Sequence, residues 1–234
     1  MSEVSFLQKG KGKDLLLLHG YLSSKEAFAA QVAYFSRFFR VTAIDFLGFG
    51  DSRALTSAFS VGDYADWLKN VMRALGVLKP HVIAHSFGCR VAVKAACVDC
   101  TLFDKIVLTG PAGVILKRGF GYRFKVGLYR FVKKFAPAFA ERKFGSKEYR
   151  RLSPIMKESY KKIVNEDLRA CASGVLNDVL IVEGKDDAVT PRAEAEAYLK
   201  CFQKGRMRMI EGGHFAFAEN PVSFNLIVEE FFYG

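Results

Sequence analysis

The chain has 234 residues, half of them hydrophobic and 14% aromatic, with a formal net charge of +11. So much apolar and aromatic matter excludes a disordered chain, and the absence of any Gly/Ser/Pro-rich linker points to one core with an insertion. The basic balance comes without a recognition motif, so no nucleic-acid partner is expected.

The first residues, MSEVSFLQKGKGK, contain no long apolar region and no cleavage-site pattern, and no run of about 18 apolar residues follows anywhere, so a cytoplasmic protein is expected. In chain order the pattern predicts strands over 4–8 and 14–20, a helix over 25–37, a strand over 40–46 and a helix over 61–75. The run PHVIAHS (80–86) reads as a buried strand, and FGCRVAVKAA (87–96) alternates small and apolar residues as a packed helix does. A strand KIVLTG (105–110), a long segment over 114–177 and a strand VLIVEG (179–184) follow, then a helix over 191–203, a strand over 206–211 and a helix from about 221. Strands with near-continuous apolar runs alternating with helices call for an α/β fold, a mostly parallel sheet covered by helices on both faces. In such sheets functional groups gather at the carboxyl ends of the strands.

Ser86 stands at the expected junction of a strand and a helix, in Ala84-His85-Ser86-Phe87-Gly88. A strand-to-helix turn that sharp tolerates only small residues two positions either side, and it lifts the hydroxyl clear of the sheet edge. Downstream, the strand over 179–184 runs into Lys185, Asp186 and Asp187, and the strand over 206–211 runs into Gly212, Gly213 and His214. Serine, then acid, then histidine is one of the chain orders in which a nucleophile, its base and the group orienting that base occur.

With LLLLHGY (15–21), DFLGFGDS (45–52), AHSFG (84–88), GKDDAVTP (184–191) and GGHFAFAENP (212–221) in this order, the chain resembles the serine α/β-hydrolase family over nearly its whole length. The first small residue of the elbow is Ala84, where glycine is more usual. The resemblance implies an α/β-hydrolase core over 1–113 and 178–234, with the variable helical lid over 114–177. It implies Ser86 as nucleophile and His214 as the base that takes its proton, while His19, His81 and His85 are expected to be structural. The family spacing from Gly184 to Pro191 assigns the acid to Asp187, with Asp186 in reserve, because TGPAG (109–113) after the preceding strand offers no carboxylate. It also assigns the oxyanion donors to the backbone N–H groups of Tyr21 and Phe87. The glycines of DFLGFGDS read as turn residues.

The charge is concentrated in 114–177, which holds 16 of the 35 basic but 5 of the 24 acidic residues, so the rest of the chain carries 19 of each. Within it Phe120, Phe124, Leu128, Phe131, Phe135 and Phe139 recur at helical steps, with Arg123, Arg130, Lys133 and Lys134 mostly off the stripe. The stripe suits packing over the core and an apolar acyl pocket, and the basic face suits either solvent or an anionic membrane surface. Five cysteines form an odd, scattered set, in which Cys97 and Cys100 make a single C-x-x-C without a second pair or histidine, so neither a disulfide framework nor a metal site is expected. No cofactor is called for. The expected activity is cleavage of a small-molecule carboxylic ester through an acyl-enzyme, by a carboxylesterase-like serine hydrolase. The alternatives are a non-catalytic ligand-binding homologue, or a C–C bond or amide hydrolase with the same triad. A serine at position 86 argues against the haloalkane and epoxide chemistry of relatives with an aspartate nucleophile.

Overall fold

The computed structural model describes residues 4–116, 149 and 152–234, so the aromatic stripe from Phe120 to Phe139 and its basic neighbours lie outside the described residues. The strands are β1 (Phe6–Lys9), β2 (Asp14–Leu18), β3 (Arg40–Ile44), β4 (His81–His85), β5 (Ile106–Thr109), β6 (Val179–Gly184) and β7 (Gly205–Ile210). They form one sheet in the order β1-β3-β2-β4-β5-β6-β7, parallel throughout except where β1 runs antiparallel to β3. β1 is a short, fully exposed edge ending in Lys9, a composition that discourages further pairing. The other edge is β7, whose alternating intermediate and exposed residues include Arg206 and Arg208.

The apolar strands are buried on both faces because successive side chains point to opposite sides. Leu16, Leu18, Val82, Ala84, Leu108 and Ile181 pack with α2 (Val61–Ala74), α3 (Phe87–Val98) and α6 (Arg192–Leu199). Leu15, Leu17, Ile83, Val107, Leu180 and Val182 pack with α1 (Ala29–Phe35) and α8 (Pro221–Tyr233). The short α4 (Pro154–Val164) and α5 (Arg169–Ser173) belong to the basic segment, and α7 (Ala216–Glu219) follows His214. Local chemistry sets several starts: Ser60 caps α2 in a reciprocal capping box with Asp63, and Ser153 caps α4 with Pro154 in its first turn.

The helix expected over 25–37 is instead a 3-10 turn, Lys25–Phe28, leading into a seven-residue α1. It ends early because the amides of Phe38 and Phe39 both turn back to the Phe35 carbonyl, bringing the chain round to Arg40. The cysteines are free; the sulfur beside Cys97 is that of Cys171 rather than its C-x-x-C neighbour. Among the described residues, no helix is long and apolar enough to cross a membrane, and no group of three His, Cys, Asp or Glu is placed to hold a metal.

Candidate active site

Three strand ends converge. β4 stops at His85, and Ser86 takes φ +49° and ψ −105° before α3 begins at Phe87. A non-glycine residue in that region is strained by about 1–3 kcal/mol, and the surroundings hold it there. The Ser86 amide is spent on the Thr109 carbonyl at 3.1 Å, which ties the turn to the end of β5. Small residues make the turn possible, since a Cβ on Gly88 would lie 2.3 Å from the Leu18 carbonyl oxygen.

β6 and β7 carry the other two groups. Their parallel register sets Gly184 beside Ile210, which brings the two following loops together. Across them Asp187 Oδ2 lies 2.7 Å from His214 Nδ1. Asp187 is buried, and its second oxygen accepts from the Val189 amide at 2.7 Å and the Thr190 amide at 2.9 Å. The Thr190 hydroxyl adds a bond of 2.9 Å to Oδ2. Burial alone would raise this carboxyl, but the His214 ring and the Thr190 and Val189 amides hold it well below the usual carboxylate range. An ionised acceptor against Nδ1 leaves Nε2 as the lone-pair nitrogen. Asp186 is exposed and its amide goes to the Gly212 carbonyl, so the structure brings Asp187 and not Asp186 to the ring.

Ser86, His214, Tyr21 and Phe87 line one cavity of about 720 Å³. The amides of Tyr21 and Phe87 donate to no described group, the second because it opens a helix. Aromatic contacts link the two residues: the Tyr21 ring lies 5.7 Å from that of Phe87 and 4.9 Å from that of Phe49. Tyr160 and Ile163 of α4 line the same cavity, and the large exposed side chains Leu22, Val189 and Phe215 surround it.

The remaining histidines are held by backbone. His19 Nε2 accepts from the Phe46 amide at 3.0 Å, so its Nδ1–H donates to the Gly20 carbonyl at 2.7 Å. His81 is buried and stacks on Phe232 with ring centroids 4.4 Å apart. His85 Nε2–H donates to the carbonyl of His214 at 3.0 Å, and burial, then the neighbouring His214, draw its ring down to about 3, so it is neutral. His85 therefore lies against His214, 4.7 Å between ring centroids, and holds its carbonyl. In DFLGFGDS, Gly50 has φ +53°, and a Cβ there would lie 2.3 Å from the Asp45 carboxyl carbon. Asp45 accepts from the Lys25 amide and ammonium at 2.7 and 2.8 Å, anchoring the 3-10 turn that follows the Tyr21 loop.

Three residues that shape this site are absent from the sequence reading. Thr190, three positions after Asp187, carries the spacing of a carboxylate-capped turn and was accessible in principle. Arg90 lines the cavity from inside α3, and Glu183 lies fully buried at the end of β6; neither has a local signal. Burial, then the charge of Asp187, push the Glu183 carboxyl up to about 9, so it is protonated near neutral pH. Its folded-state value lies above that of the unfolded chain, so its contribution is complete in acid and is lost as pH rises toward about 9. The expected result for Glu183→Gln is a stability advantage over the parent that is near zero at about pH 5 and reaches on the order of 1–3 kcal/mol at about pH 8. Urea titrations at both pH values check it; an advantage of equal size at both would refute the protonation state.

A family model described as the alpha/beta hydrolase fold matches residues 14–152. Over 83 residues the chain is 31% identical to an (E)-2-((N-methylformamido)methylene)succinate hydrolase of Acinetobacter baylyi, covering 36% of this chain and 32% of that protein. The chain thus spans about a third of the length of that curated relative. Among solved structures, a meta-cleavage product hydrolase from Pseudomonas fluorescens superposes with a TM-score of 0.76 at 22% identity, covering 98% of this chain and 94% of the other. An esterase from Thermogutta terrifontis does so at 0.73 and 20%, covering 98% and 93%. At such identities the structural likeness speaks for the fold. Together with the family match over more than half of the chain, it places this protein in the alpha/beta hydrolase family.

Proposed function

We propose that this protein is a serine hydrolase that cleaves a small carboxylic ester through an acyl-enzyme, without a metal or cofactor and in the cytoplasm. The observation that carries the reading is the 2.7 Å pair of Asp187 and His214, whose histidine lines the same cavity as a serine on a strained strand-to-helix turn. His214 Nε2 takes the proton of Ser86 as Oγ bonds to the carbonyl carbon and the carbonyl π pair moves onto oxygen. The free amides of Tyr21 and Phe87 receive that charge. Collapse expels the alkoxide, which takes the proton back from the imidazolium, and a water repeats the sequence on the acyl group. Segment 114–177 serves as a lid; its described residues Leu152, Tyr160 and Ile163 support this by lining the cavity. The charge of that segment supports docking on an anionic membrane surface as a further role.

An amide hydrolase is the second reading, favoured by the relative from Acinetobacter baylyi, whose name describes hydrolysis of an N-methylformamido compound. The same groups serve both bonds, and the pocket decides between them. The test is covalent labelling of the intact chain by a fluorophosphonate, expected at one site and mapped by mass spectrometry to the peptide containing Ser86. Folded protein that takes up no label, or labels elsewhere, refutes the reading.

A further inference from the structure

Arg90 lies on α3 four residues after Ser86, and it lines the cavity that holds Ser86 and His214. It is 7% exposed, yet no described carboxylate forms an ion pair with it. Its Nη1 donates to two backbone carbonyls, Ile163 at 3.0 Å and Glu166 at 2.8 Å, while Nε and Nη2 donate to no described residue. The acids nearby are engaged or more distant. Glu166 pairs with Lys94 and Asp167 with Arg169, each at 2.8 Å, and Glu194 and the Tyr198 hydroxyl act on the guanidinium only through space. A buried guanidinium is ordinarily paired, because removing its charge from water costs several kcal/mol. The two carbonyls hold one nitrogen and orient the fork, and its remaining edge is suited to a planar, two-oxygen anion. The same cavity is lined by the exposed apolar side chains Leu22, Val189 and Phe215, and by Asn165 and Glu194.

Resting on the serine hydrolase reading above, we infer that Arg90 is the anion-recognising residue of the substrate pocket and that the preferred substrate is an acidic ester, carrying on its acyl or its alcohol side a carboxylate that pairs with the guanidinium. The selectivity is electrostatic and geometric, since an ester ending in a methyl group leaves the guanidinium edge dry and unpaired.

The test uses the full chain and two matched ester pairs: p-nitrophenyl valerate against p-nitrophenyl hemiglutarate, and phenyl butyrate against 4-carboxymethylphenyl butyrate. The carboxylate is on the acyl side in the first pair and on the alcohol side in the second. The parent is expected to favour the acidic member of one pair by about tenfold or more in kcat/KM, carried by KM, and R90Q is expected to cancel that ratio. R90K, a point charge without the fork, retains part of it. Lys94→Gln breaks the neighbouring tie from α3 to Glu166 without reaching the cavity, and is expected to keep the ratio. The inference is overturned if neither pair is discriminated, or if R90Q depresses both members alike, or if Lys94→Gln erases the ratio as R90Q does. Calorimetric titration with glutarate separates this inference from the catalytic reading. Binding that R90Q removes supports the anion site even if no ester is turned over, and no binding by the parent refutes it.

Discussion

Ser86→Ala and His214→Ala are each expected to lower kcat by about 10⁴-fold or more, up to about 10⁶, and the double variant to lose no more than the single ones. The non-additivity is the informative part. A serine hydroxyl is a poor nucleophile until its proton has somewhere to go, so removing the base disables the nucleophile and removing the nucleophile leaves the base without a task. What survives either change is the contribution of the Tyr21 and Phe87 amides and of binding. Asp187→Asn belongs to the same series: it keeps the shape but puts a neutral amide at the His214 contact of 2.7 Å, where the proton on Nδ1 is no longer favoured, and a loss of about 10⁴ is expected. Steady-state rates on whichever ester is turned over fastest check all four variants, with near-ultraviolet circular dichroism to confirm folding. A His214→Ala variant within tenfold of the parent would contradict the assignment of the base.

Gly88→Ala is expected to destabilise the protein by about 3 kcal/mol or more, a large effect for one methyl group. The new Cβ would meet the Leu18 carbonyl oxygen at 2.3 Å, its carbon at 2.8 Å and the His19 oxygen at 2.9 Å. All three are backbone atoms of the interior strand β2 and the turn after it, so no side chain can rotate away. Relief requires α3 to lift off the sheet, which opens the core around Val91, Ala92 and Ala95. The same displacement moves the Phe87 amide out of line with Tyr21, so the residual folded protein is expected to be slower as well. Chemical denaturation measures the first effect; a loss below about 1 kcal/mol would show that the helix is not held as closely as the geometry states.

Much of this molecule was legible in one dimension. Apolar runs such as DLLLL (14–18) and VLIVEG (179–184) have few conformations in which both faces are covered, and the strand over 179–184 falls where its pattern places it. The elbow was legible because a strand, a serine between small residues and a helix carry three separate local signals. The early end of α1 was not, because apolar periodicity continues through Phe38 and Phe39 while the backbone already turns toward β3. The short helix Ala216–Glu219 was missed because it is one turn long and too short to display a period.

The sequence by itself determined the order of the strands and of the helices that cover them, the serine on its turn, and the succession of serine, acid and histidine, all of which depend on neighbours within a few residues. The family spacing favoured Asp187 over Asp186, but only the tertiary structure shows Asp187 against the His214 ring, because that contact depends on the register of β6 against β7 and on which side chain turns inward to a ring 27 positions away. It alone decided that Arg90 is buried without a carboxylate partner among the described residues and that Glu183 keeps its proton. Burial and charge at a point are sums over everything packed around it, and the groups that set them here come from β6, α3, α4 and α6, elements far apart in the chain and adjacent only after folding.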